Sequence, residues 1–343
     1  MAGVAGSHED TPAARRRPPP PEGQQGQQER QEQPRPRGRG EEEERKDKKK
    51  TRKAAQQPDI MLRYWRLINQ GNDMSLLARK ETMALLLAAA FSCAVASSPA
   101  PRLTSSVALV SDAETGEVLM QKSGTQALPI ASITKLMTGI VIVDAGLDLE
   151  EIITITRADV DLLRFSSSRL PVGARLTRGQ ALHLALMSSE NRAAHALART
   201  FPGGTEVFVR IMNNIGREIG MTNTRFTDPT GLCAGNQSTA ADLGVLLSAA
   251  HARPVVRAAS VSTGYTLRVG RERISFQNTN RLVRSGHRGV EAQKTGFINE
   301  AGRTLVIRVQ GARRTLNVVL LGAPGSEERA ADALRLLRWS ERV

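Results

Sequence analysis

Strand-like runs lie near both ends of residues 97–343, and this arrangement restricts how the chain can fold. Two such runs come early, at Ser106–Asp112 and Glu117–Gln121, and two come late, at Thr304–Val309 and Leu316–Leu321. A lone two-stranded hairpin is only marginally stable in water. We therefore predict that the early and late runs share one sheet in a single α/β unit, with the chain between them as an insertion.

The insertion is predicted to be mostly helical, because its apolar residues recur at helical spacing. The helical runs are Ser132–Ala145, Thr177–Thr200, Val207–Ile219, Ser238–Ala250 and, after the last strand, Glu327–Trp339. Thr177 is predicted to cap the second run, and Gly220 to end the third. Ser238 or Thr239 is predicted to cap the fourth. The turn residues Glu114–Gly116 predict a hairpin between the first two strands.

Residues 1–73 are predicted to contribute nothing to the folded domain. Residues 1–58 are rich in Pro, Gln, Gly, Arg, Glu and Lys and hold too few apolar residues for a core, so disorder is expected. A nucleic-acid-binding tail is disfavoured, because acidic residues nearly match basic ones and aromatic residues are absent. We interpret this segment as an over-extended gene start, with translation beginning at Met74, Met61 or Met83.

Residues 74–96 have the pattern of a secretory signal peptide. A positively charged start is followed by the apolar stretch Met83–Ala96, which ends in the cleavage pattern Ala94-Val95-Ala96. The stretch is shorter than the roughly 20 residues of a transmembrane helix. A lipoprotein anchor at Cys93 is disfavoured by the residues before it. We predict export to the periplasm with cleavage near Ala96, leaving residues 97–343 as the mature domain.

The chain is basic, and its charge is unevenly placed between residues 1–96 and residues 97–343. The formal net charge is +14, of which residues 97–343 hold +9 without a Lys/Arg-rich run. A basic surface suits cell-wall polymer, nucleic acid or lipid headgroups, and charge does not choose among them. Residues 97–343 contain 27 Arg but only three Lys, namely Lys122, Lys135 and Lys294. A lysine can lose its proton and act as a base, whereas arginine cannot, so each lysine is a candidate.

Cysteine and histidine usage predicts neither a metal site nor another cofactor. Residues 97–343 hold one cysteine, Cys233, and the five His of the chain show no metal-ligand spacing. We interpret Cys233 as a buried or loop thiol without a catalytic part. His195 follows one of the motifs below on a helix, and a packing or surface role is favoured for it.

Ser132-Ile133-Thr134-Lys135 is the first candidate catalytic motif. On a helix, residues three apart share a face, so Lys135 can reach the hydroxyl of Ser132. A serine is a weak nucleophile until an adjacent base activates it, and a buried, deprotonated lysine can be that base. By itself the motif is weak, since a capping serine and a solvated lysine give the same letters.

The second candidate motif is Ser189-Glu190-Asn191. The hydroxyl of Ser189 can relay a proton, and the amide of Asn191 can both donate to and accept from a peptide backbone. A helix-capping pair is the alternative interpretation.

The third candidate motif is Lys294-Thr295-Gly296, followed by Phe297 and the late strands. A cation and a hydroxyl together bind a carboxylate, and Gly296 allows close approach of the backbone. A strand edge can also pair with an extended peptide. An ordinary turn before a strand is the alternative.

The order of the three motifs is more specific than any one of them. S-x-x-K, then S-x-N, then K-T-G is the signature set of penicillin-binding proteins and serine β-lactamases. The chain resembles the D-alanyl-D-alanine carboxypeptidase/endopeptidase family of low-molecular-mass penicillin-binding proteins over residues 104–343. The resemblance includes ALPIASITKLMT, LMSSENRAAHALA, GMTNTRFTDPTGL, NQSTAADL, FQNTNRLV and QKTGF. LMSSENRAA and QKTGF resemble the endopeptidase branch in particular.

The resemblance implies catalytic roles at the matching positions. Ser132 would form the acyl-enzyme, Lys135 would be its general base, and Ser189 would pass the proton to the leaving amine. The backbone N–H groups of Ser132 and Phe297 would form the oxyanion hole, which is usually the largest electrostatic contribution to acyl transfer.

The resemblance also implies the substrate and how it is bound. Asn191 would hold the peptide backbone, Lys294 and Thr295 would bind the terminal carboxylate, and Gly296 and Phe297 would lie along the substrate. Peptidoglycan stem peptides would be the substrates, and β-lactam antibiotics would be covalent inhibitors. The implied fold is α/β (α+β) and transpeptidase-like, an antiparallel sheet flanked by helices with a mainly helical subdomain.

Two departures from the carboxypeptidase pattern guide the choice of reaction. Position 190 is Glu where carboxypeptidase relatives commonly have Gly, which favours the endopeptidase branch. The chain ends at Val343, without the β-rich domain and amphipathic anchor usual in those relatives, so no stable membrane anchor is expected. A D,D-endopeptidase cutting D-alanyl cross-links is therefore the main interpretation. The alternatives are a D,D-carboxypeptidase, then a β-lactamase or a non-catalytic wall-peptide-binding protein.

Overall fold

The computed structural model describes residues 99–342. The predicted disordered segment 1–73 and the predicted signal peptide 74–96, with Cys93, lie outside the described residues, so these remain predictions. Among residues 99–342, no helix is both long enough and apolar enough to cross a membrane.

Strands from the two ends of the domain form its main sheet. The strands described within residues 99–342 are β1 (Val107–Asp112), β2 (Val118–Lys122), β3 (Leu128–Pro129), β4 (Ile152–Thr154), β5 (Arg175–Thr177), β6 (Gln237–Ser238), β7 (Gly264–Val269), β8 (Glu272–Gln277), β9 (Val290–Ile298), β10 (Gly302–Gln310) and β11 (Thr315–Ala323). The main sheet is antiparallel and has the order β2-β1-β11-β10-β9. Val107 of β1 lies opposite Leu321 of β11. The prediction that early and late strands share one sheet is confirmed.

Most of the helices lie between β2 and β9, and one described helix follows β11. The α-helices described in this part of the chain are α1 (Thr134–Asp144), α2 (Arg178–Met187), α3 (Asn191–Arg199), α4 (Gly204–Glu218), α5 (Ala240–His251), α6 (Pro254–Val261), α7 (Arg281–Arg284) and α8 (Ser326–Ser340). Two short 3-10 turns, Ala131–Ile133 and Arg157–Asp159, precede α1 and β5.

Both faces of the main sheet are covered by helices. Successive side chains of a strand point to opposite faces. Val318 belongs to an apolar cluster with Leu336 and Trp339 of α8. Its neighbour Val319 belongs to the larger cluster that includes Leu243 of α5. The apolar run of β11 is therefore buried on both sides, which agrees with the predicted sheet flanked by helices.

Three predicted helix ends are confirmed. The hydroxyl of Thr177 accepts the backbone N–H of Gln180 at 3.1 Å and caps α2. The hydroxyl of Thr239 accepts the backbone N–H of Asp242 at 3.2 Å and caps α5. Gly220 follows the end of α4 with φ of +91°, a left-handed conformation that glycine adopts without strain.

Two predicted helices differ from the structure, and both differences fall at the candidate motifs. Ser132 lies in the 3-10 turn before α1 rather than in the helix, because Ala131 has φ of +49°. The predicted helix over 177–200 is two helices, since Ser189 has φ of +60° between α2 and α3. Glu190 then caps α3 by accepting the backbone N–H of Arg192 at 3.1 Å. Positive φ is uncommon outside glycine and is concentrated at functional sites.

The hairpin of β7 and β8 and the short helices α6 and α7 were not predicted. The outward side chains of the hairpin are mostly polar or charged, and its inward positions include Leu267 and Phe276. The inward positions Tyr265, Leu267, Val269, Ile274 and Phe276 are all apolar and alternate with the outward ones. This period-2 pattern on both sides of Gly270 was therefore a sequence signal for the hairpin.

Candidate active site

Ser132 lies at the floor of a cleft, just before the first turn of α1. The cleft has a volume of about 430 Å³ and lies between the edge strand β9, the α2–α3 junction and the loop 161–168. The left-handed backbone of Ala131 turns the chain so that Ser132 enters the 3-10 turn half-buried and faces the cleft. Backbone N–H groups at the start of a helix favour negative charge, which suits an oxyanion forming at this position.

Lys135 is buried directly beneath Ser132. Its Nζ donates to the hydroxyl of Ser132 at 2.9 Å and to the side-chain oxygen of Asn191 at 2.7 Å. A third hydrogen bond, of 2.6 Å, goes to the backbone carbonyl of Thr230. The contact with Ser132 is the one the first motif predicts, although it arises from a 3-10 turn followed by a helix.

Burial controls the protonation of Lys135. Loss of hydration lowers the pKa of Lys135 from 10.5 to about 8. The negative charges of Asp228, Glu190 and Asp161 act in the opposite direction and limit this decrease. A pKa near 8 leaves part of the lysine neutral at physiological pH, so Lys135 can accept a proton from Ser132.

The α2–α3 junction brings Ser189 and Asn191 into the same cleft. The side-chain NH₂ of Asn191 donates to the hydroxyl of Ser166 at 2.8 Å while its oxygen accepts from Lys135. The junction is held by Glu190, which is 7% exposed and accepts the hydroxyl of Ser168 at 2.7 Å. Burial raises the pKa of Glu190, and its hydrogen bonds partly oppose this rise.

The third motif lies in β9, at the edge of the main sheet. Thr295, Gly296 and Phe297 line the cleft. Lys294 is fully buried, and its Nζ donates to the carbonyl of Thr295 at 2.9 Å. Burial, and then the charge of Lys135, lower the pKa of Lys294 well below 10.5. The hydroxyl groups of Thr295 and Thr279 are hydrogen-bonded at 2.6 Å.

Close packing between β9 and the 3-10 turn requires glycine at position 296. A Cβ atom there would stand 2.8 Å from the backbone nitrogen of Ser132 and 2.6 Å from the hydroxyl of Thr304. Gly231 has a related role on the other side of the turn. Gly231 has a φ of +81°, a conformation that favours glycine. A Cβ atom there would also stand 1.9 Å from the carbonyl oxygen of Ala131, so there is no room for a larger residue.

The loop 228–236, which carries none of the predicted site residues, supports the site on the side of Lys135. The side chain of Asp228 accepts the backbone N–H groups of Thr230 at 2.6 Å and Gly231 at 2.8 Å. Asn236 is fully buried and donates to the hydroxyl of Thr134 at 2.9 Å and to the carbonyl of Asp228 at 3.0 Å. The loop thereby holds the Thr230 carbonyl against Lys135. The turn residues DPTG were a sequence signal for it.

Several cleft residues were not predicted from the sequence. These are Arg164, Ser166, Thr279, Arg303 and Arg329. No sequence signal separated the three arginines from the other Arg residues of the domain. Burial, and then the charges of Arg303 and Arg284, lower the pKa of Arg329 to about 10, so its guanidinium stays charged at neutral pH. The cleft is therefore cationic and suits a substrate with a carboxylate.

His195 and Cys233 lie outside the cleft. The Nδ1 atom of His195 is 2.8 Å from a carboxylate oxygen of Asp159, which also pairs with Arg199. Cys233 is a half-buried loop thiol that accepts the backbone N–H of Gly235 at 3.4 Å. Both residues line a smaller cavity of about 190 Å³ behind Asn191.

Comparisons with known proteins agree with this geometry. A family model described as D-alanyl-D-alanine carboxypeptidase matches residues 94–325. The D-alanyl-D-alanine endopeptidase of Pseudomonas aeruginosa is 42% identical, over 75% of this chain and 86% of its own length. The D-alanyl-D-alanine endopeptidase of Escherichia coli is 36% identical, over 76% of this chain and 87% of its own length.

A solved structure supports the fold assignment. The D-alanyl-D-alanine carboxypeptidase of Mycobacterium tuberculosis superimposes with a TM-score of 0.65 and 28% identity, covering 73% of this chain and 95% of that chain. The predicted transpeptidase-like fold is therefore confirmed. The chain belongs to the D-alanyl-D-alanine peptidase family, whose members include enzymes named D-alanyl-D-alanine carboxypeptidase and D-alanyl-D-alanine endopeptidase.

Proposed function

We propose that the protein is a D,D-endopeptidase that hydrolyses D-alanyl cross-links of peptidoglycan through an acyl-enzyme on Ser132. The main support for the proposal is the position of Lys135. Its amine contacts both the Ser132 hydroxyl, at 2.9 Å, and the Asn191 side chain, at 2.7 Å, below a cleft bordered by the free edge of β9. A base, a nucleophile and a peptide-binding edge therefore meet at one place.

In the proposed acylation step, neutral Lys135 accepts the proton of Ser132 as the oxygen attacks the D-alanyl carbonyl carbon. The negative charge that develops on the carbonyl oxygen is stabilised by the backbone N–H groups of Ser132 and Phe297. Ser189 then relays the proton from Lys135 to the leaving amine as the C–N bond breaks. A water molecule hydrolyses the ester and regenerates Ser132.

In the proposed complex, the peptide lies antiparallel to β9, because this strand is an edge strand of the main sheet and borders the cleft. The carboxylate on the leaving side binds near Thr295 and the buried Lys294, and the guanidinium of Arg329 lines the cleft as a cation. The backbone of the acyl-donor side pairs with Phe297 and the amide of Asn191. A β-lactam would occupy the same positions and remain as an ester on Ser132.

The choice of endopeptidase over carboxypeptidase rests on two supports. The relatives from Pseudomonas aeruginosa and Escherichia coli, at 42% and 36% identity, are both named endopeptidases. In addition, Glu190 occupies the middle of the second motif and ties it to Ser168 of the neighbouring loop, where a glycine would make no such contact. The proposed location is the periplasm after removal of residues 74–96, and N-terminal sequencing of the mature protein tests this.

The experiment is to incubate the purified domain with cross-linked dimeric muropeptide and, separately, with monomeric pentapeptide. The endopeptidase proposal expects dimer cleavage, and release of D-Ala from the pentapeptide without dimer cleavage would instead make the protein a carboxypeptidase. Fluorescent penicillin should label the wild type stoichiometrically and should not label Ser132→Ala. Rapid turnover of a chromogenic cephalosporin would make the protein a β-lactamase. Undiminished cross-link cleavage by Ser132→Ala would refute the acyl-enzyme on this residue.

A further inference from the structure

An ion pair spans one end of the cleft. The Nη2 atom of Arg164 lies 2.9 Å from a carboxylate oxygen of Glu300. Arg164 belongs to the loop before β5 and lines the cleft, whereas Glu300 lies in the turn between β9 and β10. The pair therefore links the two walls between which a bound peptide would pass.

The guanidinium of Arg164 is held in place independently of Glu300. Its Nε donates to the carbonyl of Leu232 at 2.5 Å. The backbone of the loop is fixed by Asp161, whose carboxylate accepts the N–H groups of Arg164 at 3.0 Å and Ser166 at 2.9 Å. Arg164 would thus keep its position if Glu300 moved away, and it would still offer charged N–H donors to the cleft.

Glu300 is the exchangeable partner in this pair. Its side chain is 47% exposed, whereas that of Arg164 is 24% exposed. Ion pairs with this degree of exposure contribute little net stability, so another carboxylate can replace Glu300 at small cost. Arginine binds carboxylates in a two-pronged geometry, which makes such an exchange favourable.

The direction of β9 indicates which part of the substrate reaches Arg164. A peptide antiparallel to β9 with its leaving-side carboxylate near Lys294 and Thr295 extends its amino-terminal part toward Ile298 and Glu300. In this arrangement the scissile carbonyl lies beside Phe297. An extended peptide rises by roughly 3.4 Å per residue, so the residues just before the scissile bond lie close to the Arg164–Glu300 pair. This is the acyl-donor side of the substrate.

We propose that Arg164 binds a free carboxylate on the acyl-donor stem peptide and that Glu300 occupies this binding position in the free protein. The inference rests on the proposed function and adds a specificity determinant to it. Donor peptides with a carboxylate would open the ion pair by taking the place of Glu300. Donor peptides in which this carboxylate is amidated would have to open the ion pair without forming a new ion pair with Arg164.

The test uses two pairs of synthetic donors, and in each pair one donor has a carboxylate where the other has a carboxamide. In the first pair this group is on the residue before the D-alanyl unit, and in the second pair it is one residue earlier. The readout is the ratio of kcat/KM between the two members of each pair. For the wild type, one pair should show a preference of roughly tenfold for the carboxylate, as expected for a charged hydrogen bond. Arg164→Gln should bring this ratio close to one. Glu300→Gln should increase it, because the displaced Glu300 carboxylate repels a donor carboxylate but not a carboxamide.

A ratio near one in the wild type for both pairs, or an unchanged ratio in Arg164→Gln, would overturn the inference. A loss of penicillin labelling in Arg164→Gln would show that the loop is disturbed. In that case the inference is tested by the ratio measured for Glu300→Gln, since this variant leaves the contact between Arg164 and Leu232 in place. An unchanged ratio in that variant then counts against the proposal. The control is Asp144→Asn, which breaks a partly exposed pair with Arg253 at the end of α1 and should leave the ratio unchanged.

Failure of this inference can be separated from failure of the proposed function. Penicillin carries no donor stem peptide, so its labelling of Ser132 reports the cleft alone. Wild-type protein that is labelled and cleaves both donors equally contradicts only the role of Arg164. Wild-type protein that is neither labelled nor active on any donor contradicts the proposed function itself.

Discussion

The Nζ atom of Lys135 lies 2.9 Å from the hydroxyl oxygen of Ser132. The same nitrogen also donates to Asn191 and to the carbonyl of Thr230. A neutral amine has two N–H groups and one lone pair. Once Lys135 is deprotonated, the two N–H groups can stay with Asn191 and Thr230, and the lone pair is left facing Ser132. The surroundings of the lysine thus orient its basic form toward the proposed nucleophile.

The rate of acylation should depend on pH through Lys135. Its pKa is about 8, and the proposed base is the neutral form, so the rate should increase with pH below 8 and level off above it. The measurement is the second-order rate constant for labelling by fluorescent penicillin between pH 6 and pH 9.5. A rate that is flat or falls over this range would contradict the assignment of Lys135 as the base.

Glu190→Gln should shift this pH profile to lower pH. The negative charge of Glu190 raises the pKa of Lys135, together with the charges of Asp228 and Asp161. Glutamine keeps the size of the side chain and an oxygen for Ser168 but removes the charge. The midpoint of the labelling profile is the quantity to compare.

The control for this change is Glu206→Gln, which removes the same charge from an exposed position in the first turn of α4. Its profile should match that of the wild type. An unshifted profile in Glu190→Gln, or a shift to higher pH, would show that the charge at position 190 does not tune Lys135.

Gly231→Ala should be more harmful than Gly220→Ala, although both glycines have positive φ. At Gly220 no atom lies within 4 Å of an added Cβ, so the cost is the left-handed conformation of alanine, roughly 1 to 2 kcal/mol. At Gly231 the Cβ would collide with the carbonyl of Ala131, adding on the order of 2 kcal/mol of strain.

Urea unfolding of the two glycine variants measures their free energies of unfolding. Penicillin labelling should also slow in Gly231→Ala, because the displaced Ala131 precedes Ser132, and should be normal in Gly220→Ala. Equal losses of stability in the two variants would mean that the contact with Ala131 is easily relaxed.

Asp159→Asn should reduce stability at neutral pH, and this reduction should begin to shrink as pH falls below 3.8. Burial by itself would raise the pKa of Asp159, but hydrogen bonds from His195 and Arg199 outweigh it and hold that pKa well below 3.8. A lowered folded-state pKa stabilises the fold above the unfolded value and loses this effect as pH falls. The free energy of unfolding should drop by on the order of 2 kcal/mol at pH 7. A difference that persists undiminished at pH 3 would contradict this.

The sequence was sufficient to predict the elements with strong local signals. Thr177 and Thr239 cap their helices as predicted, because a capping hydroxyl acts within three residues along the chain. The strands that became β1 and β11 were also recognisable, since their apolar runs are buried on both faces. That they share one sheet was predicted, whereas their direct pairing was not.

The parts of the site that depend on distant contacts were not predictable in the same way. The left-handed backbone of Ala131 and Ser189 breaks two predicted helices, and no local pattern indicates it. Gly231 and Gly296 pack around the 3-10 turn from segments far apart in the sequence. Arg164 and Arg329 became cleft residues only through the fold, because nothing in their local sequence distinguishes them from the many surface arginines.

The position of β11 has a consequence for how the protein is made. Among residues 99–342 this strand is the last in sequence order, yet it lies between β1 and β10 in the main sheet. The sheet has no central strand until residues 315–323 have been synthesised, and contacts between such distant segments form slowly. A nascent chain that ends before Thr315 therefore cannot complete its core. This topology delays completion of the core until β11 has been synthesised, so β1 and β10 lack their shared partner strand up to that point.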